Sequence, residues 1–220
     1  MVARSKFEKE LEELNVELIN MGSLIEDAIE NSIKAFRTRD TELAVSVAEN
    51  DDRIDDMEKK IEARCLSLII RQQPVAHDLR VISTALKIIT DMERIGDNAG
   101  DIAKLSIAIT GEHIFEIVRH ITPMAECAVV MVRNAVTAFV NHDIELAKRT
   151  IEADDVVDNL FCDVKADISE ILRRGMDVQN NTIDFLLIAK YLERIADHAV
   201  NICEWVEFSQ TGIHKNKKIL

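Results

Sequence analysis

Two four-residue spacings of acids recur in this chain, and both could hold a metal ion. Glu93 and Asp97 stand four apart in MERIGDNAGDI, and Glu193 and Asp197 stand four apart in LERIADHAVNI. Upstream of each pair lies a second one, Asp51 with Asp55 and Asp154 with Asp158. Positions four apart on a helix are separated by about 40° around its axis, so each pair shares a face. Like charges so placed oppose helix formation by about 0.2–0.5 kcal/mol, yet the chain uses the arrangement four times. Asp51, Glu93, Asp154 and Asp158 also have no Lys or Arg three or four positions away. Convergent carboxylates without neutralising partners are what a hard cation needs. Oxygen ligands serve Fe, Mn, Mg or Ca; Zn, which favours His and Cys, ranks behind them. A solvated acidic helix face would produce the same pattern, so both readings stand at this point.

Other chemistries find little support. Di-iron bundles use E-x-x-H pairs, and none occurs; Glu116 and His120 stand four apart but alone. Nothing pairs a nucleophile with a base, cradles a phosphate on glycines or forms a nucleotide fingerprint. The sequence therefore points away from an enzyme. Cys65, Cys127, Cys162 and Cys203 form no C-x-x-C pair and read as small core residues in a reducing compartment.

The acids recur because the chain is duplicated. Residues 35–55 match 138–158 at 10 of 21 positions, with an offset of 103. Residues 86–102 match 186–202 at 8 of 17, with an offset of 100. Three residues are thus missing between the second and third helices of the second copy. Each copy reads as three long helices, at 4–38, 41–71 and 75–109 and at 112–140, 143–174 and 178–209. Asp40 and Asp143 suit the N-caps of the second helices, Pro74 the first turn of the third, and Gly175 with Asp177 a stop and a start. Pro123 predicts a kink or late start in the fourth helix, and Thr110-Gly111 the joint between halves. Val47, Ile54, Ile61 and Leu68 form one apolar stripe, and Ile88, Ile95 and Ile102 another. The expected fold is all-α: a tandem repeat of two antiparallel three-helix bundles, six long helices over domains 1–110 and 111–220, related by a pseudo-twofold axis. Relative to Ile95, Glu93 and Asp97 should point away from the core, with Asp101 continuing their face. Asp51 and Asp55 should lie on the flank of the preceding helix and lean toward them.

Composition agrees. Gly 6 and Pro 2 leave too little turn chemistry for an all-β protein, and 47% hydrophobic residues can bury a core. A net charge of −13 repels nucleic acid and anionic lipid. The N-terminus lacks the apolar core of a signal peptide. The most apolar stretch, AECAVVMVRNAVTAFV, is broken by Glu126 and Arg133, so no membrane insertion is expected. The closing HKNKKIL reads as a short frayed tail.

The duplicated unit, the doubled acid pairs, ERIGD, ERIAD and the segment RQQPVAHDLR (71–80) resemble the PhoU family over nearly the whole chain. That resemblance implies two three-helix bundles, often dimeric, carrying metal clusters on the bundle surface. Its E-x-x-x-D positions fall on Glu93, Asp97, Glu193 and Asp197, and its partnering acids on Asp51, Asp55, Asp154 and Asp158. Asp101, Glu49 and Glu152 extend the set. His198 fits the family's ERIGDH pattern and Asn98 departs from it; with Asn201 opposite Asp101, the two sites are expected to differ. The resemblance further implies a cytoplasmic negative regulator of phosphate uptake, recruited to the membrane through partners. Those partners would be the ATPase of a phosphate ABC transporter and a phosphate-sensing histidine kinase. The competing expectations are an accessory protein of another phosphate permease, a di-metal enzyme or metal store, and a metal-free structural bundle.

Overall fold

A computed structural model describes residues 2–75, 77–109, 119–175, 181–215 and 217–218. Eight helical segments are arranged as six rods. The first repeat comprises α1 (Val2–Thr38), α2 (Thr41–Glu49), α3 (Asp52–Gln72) and α4 (His77–Ala108). The second comprises α5 (Ile121–Asn141), α6 (Ile144–Glu152), α7 (Asp154–Arg173) and α8 (Asn181–Thr211). The rod expected at 41–71 is therefore interrupted at Asn50 and Asp51, and the rod expected at 143–174 at Ala153. Asn50 breaks the first by turning its side-chain amide onto the Ser46 carbonyl at 2.6 Å, a local bond that competes with the helix ladder. Asp51 and Ala153 keep right-handed helical backbone, so both breaks are kinks rather than reversals.

The other signals divide. Asp40 and Asp143 cap α2 and α6, each accepting at 2.9 Å from the backbone N–H three residues on. Pro74 lies before α4, which begins at His77. Pro123 falls in the first turn of α5, where its missing N–H costs nothing. Gly175 takes φ +62° just after α7, a left-handed stop that glycine adopts without strain. Thr110-Gly111, Asp177 and residues 112–118 lie outside the described residues.

α1, α4, α8 and α5 pack around one core, with α2 and α3 flanking the first pair and α6 and α7 the second. The most extensive helix packing is α4 on α8, across the repeats. The two run antiparallel: Arg80 Nε near the start of α4 donates to the Ser209 carbonyl near the end of α8 at 3.2 Å, and Asp91 meets His198 midway. Both apolar stripes are buried, and a single hydrophobic cluster runs through both halves. α5 is long and apolar enough to cross a membrane by length and composition, which the broken apolar stretch did not suggest. It instead buries Met124, Ala128, Val132, Ala135 and Phe139 in this core, and Arg133 binds Glu26 on α1 at 2.6 Å.

Repeat-equivalent positions show how the halves diverged. Glu17 and Arg64 clamp α1 to α3 at 2.6 Å; their counterparts, His120 and Asp167, join the start of α5 to α7 at 2.7 Å, with the acid moved to the flanking helix. A Cβ at Gly96 would lie 2.8 Å from Ile54 Cδ1, so α3 presses directly on the α4 backbone. The second repeat has Ala196 and Val157 at these positions, and valine lacks the atom that would collide. The C-terminus is not frayed throughout: Ile213–His214 pairs with Lys217–Lys218. His214 stacks on Trp205 at 3.9 Å, and Lys215 binds Glu204 at 2.9 Å.

Candidate metal centre

The kinks place Asp51 and Asp154 at the starts of α3 and α7. An acid there is favoured by the helix dipole and could cap exposed backbone N–H groups. Neither does so in the usual way. Asp51 makes no side-chain capping bond, and Asp154 Oδ1 is buried without a hydrogen-bond partner. One turn on, Asp55 and Asp158 continue each face. Glu93 and Asp97 come from the middle of α4, and Glu193 and Asp197 from the middle of α8.

Expected to point away from the core, the glutamates also lie partly beneath the flanking rods: Glu93 is 18% exposed and Glu193 15%, against 38% for Asp97. In the first repeat the Asp51 carboxylate lies beside Gly100, in ordinary van der Waals range at 3.6 Å from where a Cβ would stand.

The electrostatics show which acids share a field. Burial, then Asp97, Asp55 and Asp101, push the Asp51 carboxyl above its ordinary range. Burial and then Asp97 push Glu93 up, with Glu58 and Asp55 adding to the effect. In the second repeat, burial, Asp158, Asp197 and Glu193 push Asp154 up to about 6. Asp197 is raised by burial, then by Glu193 and Asp158. Each expected set of four is thus brought together across two helices.

Neither set is closed as a ligand shell. Among the described residues no three acidic, histidine or cysteine groups converge tightly enough to hold an ion. Cations sit on their edges instead. Arg94 binds Asp97 at 3.0 Å and Glu93 at 3.3 Å, Lys59 reaches Asp55 at 3.8 Å, and Lys190 pairs with Glu193. The Arg94–Glu93 contact joins adjacent residues, a spacing that helical i,i+3 and i,i+4 counting overlooks.

The peripheral expectations fare differently. Asp101 adds to the field at Asp51, but also binds Lys104 at 3.2 Å and hydrogen-bonds Tyr191. Glu49 and Glu152 are exposed at the ends of α2 and α6 and are not among the groups acting most strongly on Asp51 or Asp154. His198 turns away from the acid set, its Nδ1 2.8 Å from Asp91 Oδ1, while Asn201 Nδ2 donates to the same oxygen at 3.4 Å. Asn98 is buried and donates to the Arg94 carbonyl at 2.6 Å. The Asn98/His198 and Asp101/Asn201 differences therefore shape the α4–α8 contact, where Asp91–Asn201 and Tyr191–Asp101 occupy pseudo-symmetric places.

The sites nevertheless differ, at residues the sequence reading passed over. Glu58 is raised by burial, lies in the field of Glu93 and accepts from Thr90 at 3.4 Å. Its counterpart is Phe161, and the counterpart of Thr90 is Lys190, whose ammonium stands 5.7 Å from the Phe161 ring centre. Glu58 follows Asp55 by three and Asp51 by seven, so continuing the acidic face along the helix would have found it.

The donor chemistry fits a hard cation best in the second repeat. There Asp154 Oδ1 is buried without a hydrogen-bond partner, and burial together with Asp158, Asp197 and Glu193 raises its carboxyl. Asp154, Asp158, Glu193 and Asp197 would hold such an ion, with Lys190 displaced from Glu193. Asp51, Asp55, Glu93 and Asp97 are the corresponding set in the first repeat.

Comparison with known proteins places this geometry among relatives. The family model described as "PhoU domain" matches twice, at residues 18–106 and 121–206. A protein of Clostridium acetobutylicum, named a phosphate-specific transport system accessory protein PhoU homolog, is 39% identical over 96% of this chain and 97% of its own. A Thermotoga maritima protein of the same description, homolog 1, is 35% identical over 99% and 94%. Among solved structures, PhoU from Pseudomonas aeruginosa superposes with a TM-score of 0.85 at 32% identity, covering 94% of this chain and all of that one. The phosphate transport system regulatory protein PhoU from Streptococcus pneumoniae gives 0.84 at 26% identity, covering 94% and 98%.

Proposed function

This chain belongs to the PhoU family, and from that premise we propose that it is a non-enzymatic accessory protein of a phosphate-specific transport system. It would restrain phosphate uptake and the phosphate-starvation response from the cytoplasmic face of the membrane. The observation that carries this reading is similarity across both repeats to relatives named as accessory proteins of such a system. The proposed partners are the transporter's ATPase and a phosphate-sensing histidine kinase, engaged by a homodimer. A net charge of −13 favours basic patches on those partners and disfavours nucleic acid.

Within that role, the two acid sets are metal sites for Fe, Mn, Mg or Ca. Support comes from the unpartnered Asp154 oxygen and the mutual elevation of carboxylates on α7 and α8. A bound ion would neutralise the converging acids and offer open coordination positions to an oxygen donor. The protein's contribution is to hold the carboxylates at fixed helical positions and to keep Lys190 and Arg94 ready to release them.

Deletion of the gene tests the regulatory role: phosphate-starvation genes should become active in phosphate-rich medium and fall silent on complementation. Unchanged expression in the deletion strain would refute it. Elemental analysis of protein purified without chelator tests the metal sites, with Glu93→Gln/Asp97→Asn and Glu193→Gln/Asp197→Asn as controls. Equal metal content in all three proteins would remove the assigned ligands.

A further inference from the structure

We propose that His77 and His142 form a second kind of metal site, one that joins the two repeats and takes a borderline transition ion of the zinc class. His77 opens α4 in the first repeat, and His142 closes α5 in the second. Their ring centres lie 6.2 Å apart in an edge-to-face arrangement, with 66° between the planes. Two imidazoles on one tetrahedral ion, with bonds of about 2.0–2.1 Å, have ring centres about 5 Å apart. A side-chain adjustment of about 1 Å in all therefore brings the ring centres to that spacing.

The backbone beneath them is fixed. His142 holds φ 55° as the C-cap of α5, its N–H bonded to the Phe139 carbonyl at 3.2 Å, and Asp143 behind it is committed to capping α6. The start of α4 is tied to the end of α8 by Arg80.

A metal-bound imidazole is normally oriented by a partner on its other nitrogen. Gln210 on α8 supplies one: its amide nitrogen stands 3.1 Å from His142 Nδ1. A half-turn of that amide presents its carbonyl to an Nδ1–H and leaves Nε2 for the ion. Burial and then His77 hold the His142 imidazole below its usual range. Among the described residues no third acidic, imidazole or thiol group joins the pair, so water fills the remaining positions. Nitrogen ligands separate this site from the acid sets, whose oxygens favour harder ions.

The test is a Zn2+ titration of the chelator-stripped full chain, followed by imidazole proton resonances and by calorimetry. His77 and His142 should shift together, saturating at one equivalent, while His120 and His214 stay in place; Mg2+ should move neither His77 nor His142. His77→Gln and His142→Asn should each abolish this event, asparagine being chosen because it tolerates the left-handed backbone. Gln210→Leu should weaken it by about tenfold. The variant Glu193→Gln/Asp197→Asn should retain it, which separates this site from the acid centre. The proposal is overturned if the two resonances do not move together, or if the response is lost in the acid variant and survives in the histidine variants.

Discussion

Replacing Asp154 by Asn should stabilise the protein in the absence of metal and weaken its response to metal. Asp154 carries a buried, unpartnered oxygen beside Asp158, Asp197 and Glu193, and its carboxyl is pushed up to about 6 from an ordinary 3.8. Between those values the folded chain holds a proton that the unfolded chain releases, so stability falls as pH rises. Above about 6 the loss is complete and constant. Fully expressed, such a rise corresponds to about 3 kcal/mol. The site is only partly buried and solvent screens it, so about half of that is realistic. Removing an acid from the first turn of α7 forfeits about 0.5 kcal/mol of helix-dipole stabilisation. The net expectation at neutral pH is a gain of about 1 kcal/mol, or about 2–4 °C in Tm. Urea denaturation in chelator, followed by circular dichroism, should show the gap between variant and wild type opening as pH rises from about 4 to about 6. Saturating Mn2+ should stabilise wild type more than the variant. A variant that is no more stable than wild type at neutral pH, or that gains as much from Mn2+, would refute the reasoning.

Gly96→Ala should cost about 1 kcal/mol, since a new Cβ meets Ile54 Cδ1 at 2.8 Å and overpacking outweighs the gain in helix propensity. Adding Ile54→Val should recover much of it, and additive losses in a double-mutant cycle would show that the contact does not couple the two positions. Arg64→Leu should cost about 2–3 kcal/mol, because it strands Glu17, whose side chain is 8% exposed, with Lys60 alone; a loss below 0.5 kcal/mol by urea denaturation would contradict this. Burial raises the Glu17 carboxyl, but the bonds from Arg64 and Lys60 outweigh it and hold it below the ordinary 4.5. Its contribution is therefore present above that value and lost as pH falls through the lowered one, so Glu17→Gln should flatten the acid limb of the stability profile. Trp205, the one tryptophan in the chain, stacks on His214. His214→Ala should shift its fluorescence to longer wavelength as water reaches the ring, and an unchanged spectrum would mean that the C-terminal turn does not cover it.

Helical class, duplication and the pairing of acids along each helix face were legible in the sequence. Apolar residues at Val47, Ile54, Ile61 and Leu68 recur at helical spacing whatever they pack against, and identities at offsets of 103 and 100 survive because both copies must fold alike. Its boundary signals were local and held where they were local: an aspartate three residues before an exposed N–H caps α2 and α6 with no help from the rest of the chain. The remainder depends on distance between helices. Periodicity could point Glu93 and Glu193 away from their own helix's core. It could not show that α3 and α7 lie over them, that Glu58 joins one set while Phe161 replaces it in the other, or that His198 reaches back to Asp91. A carboxylate's protonation and ligand capacity follow from burial and from charges a few ångströms away. Most of those charges come from residues about forty positions distant in the chain, brought close only when the rods pack.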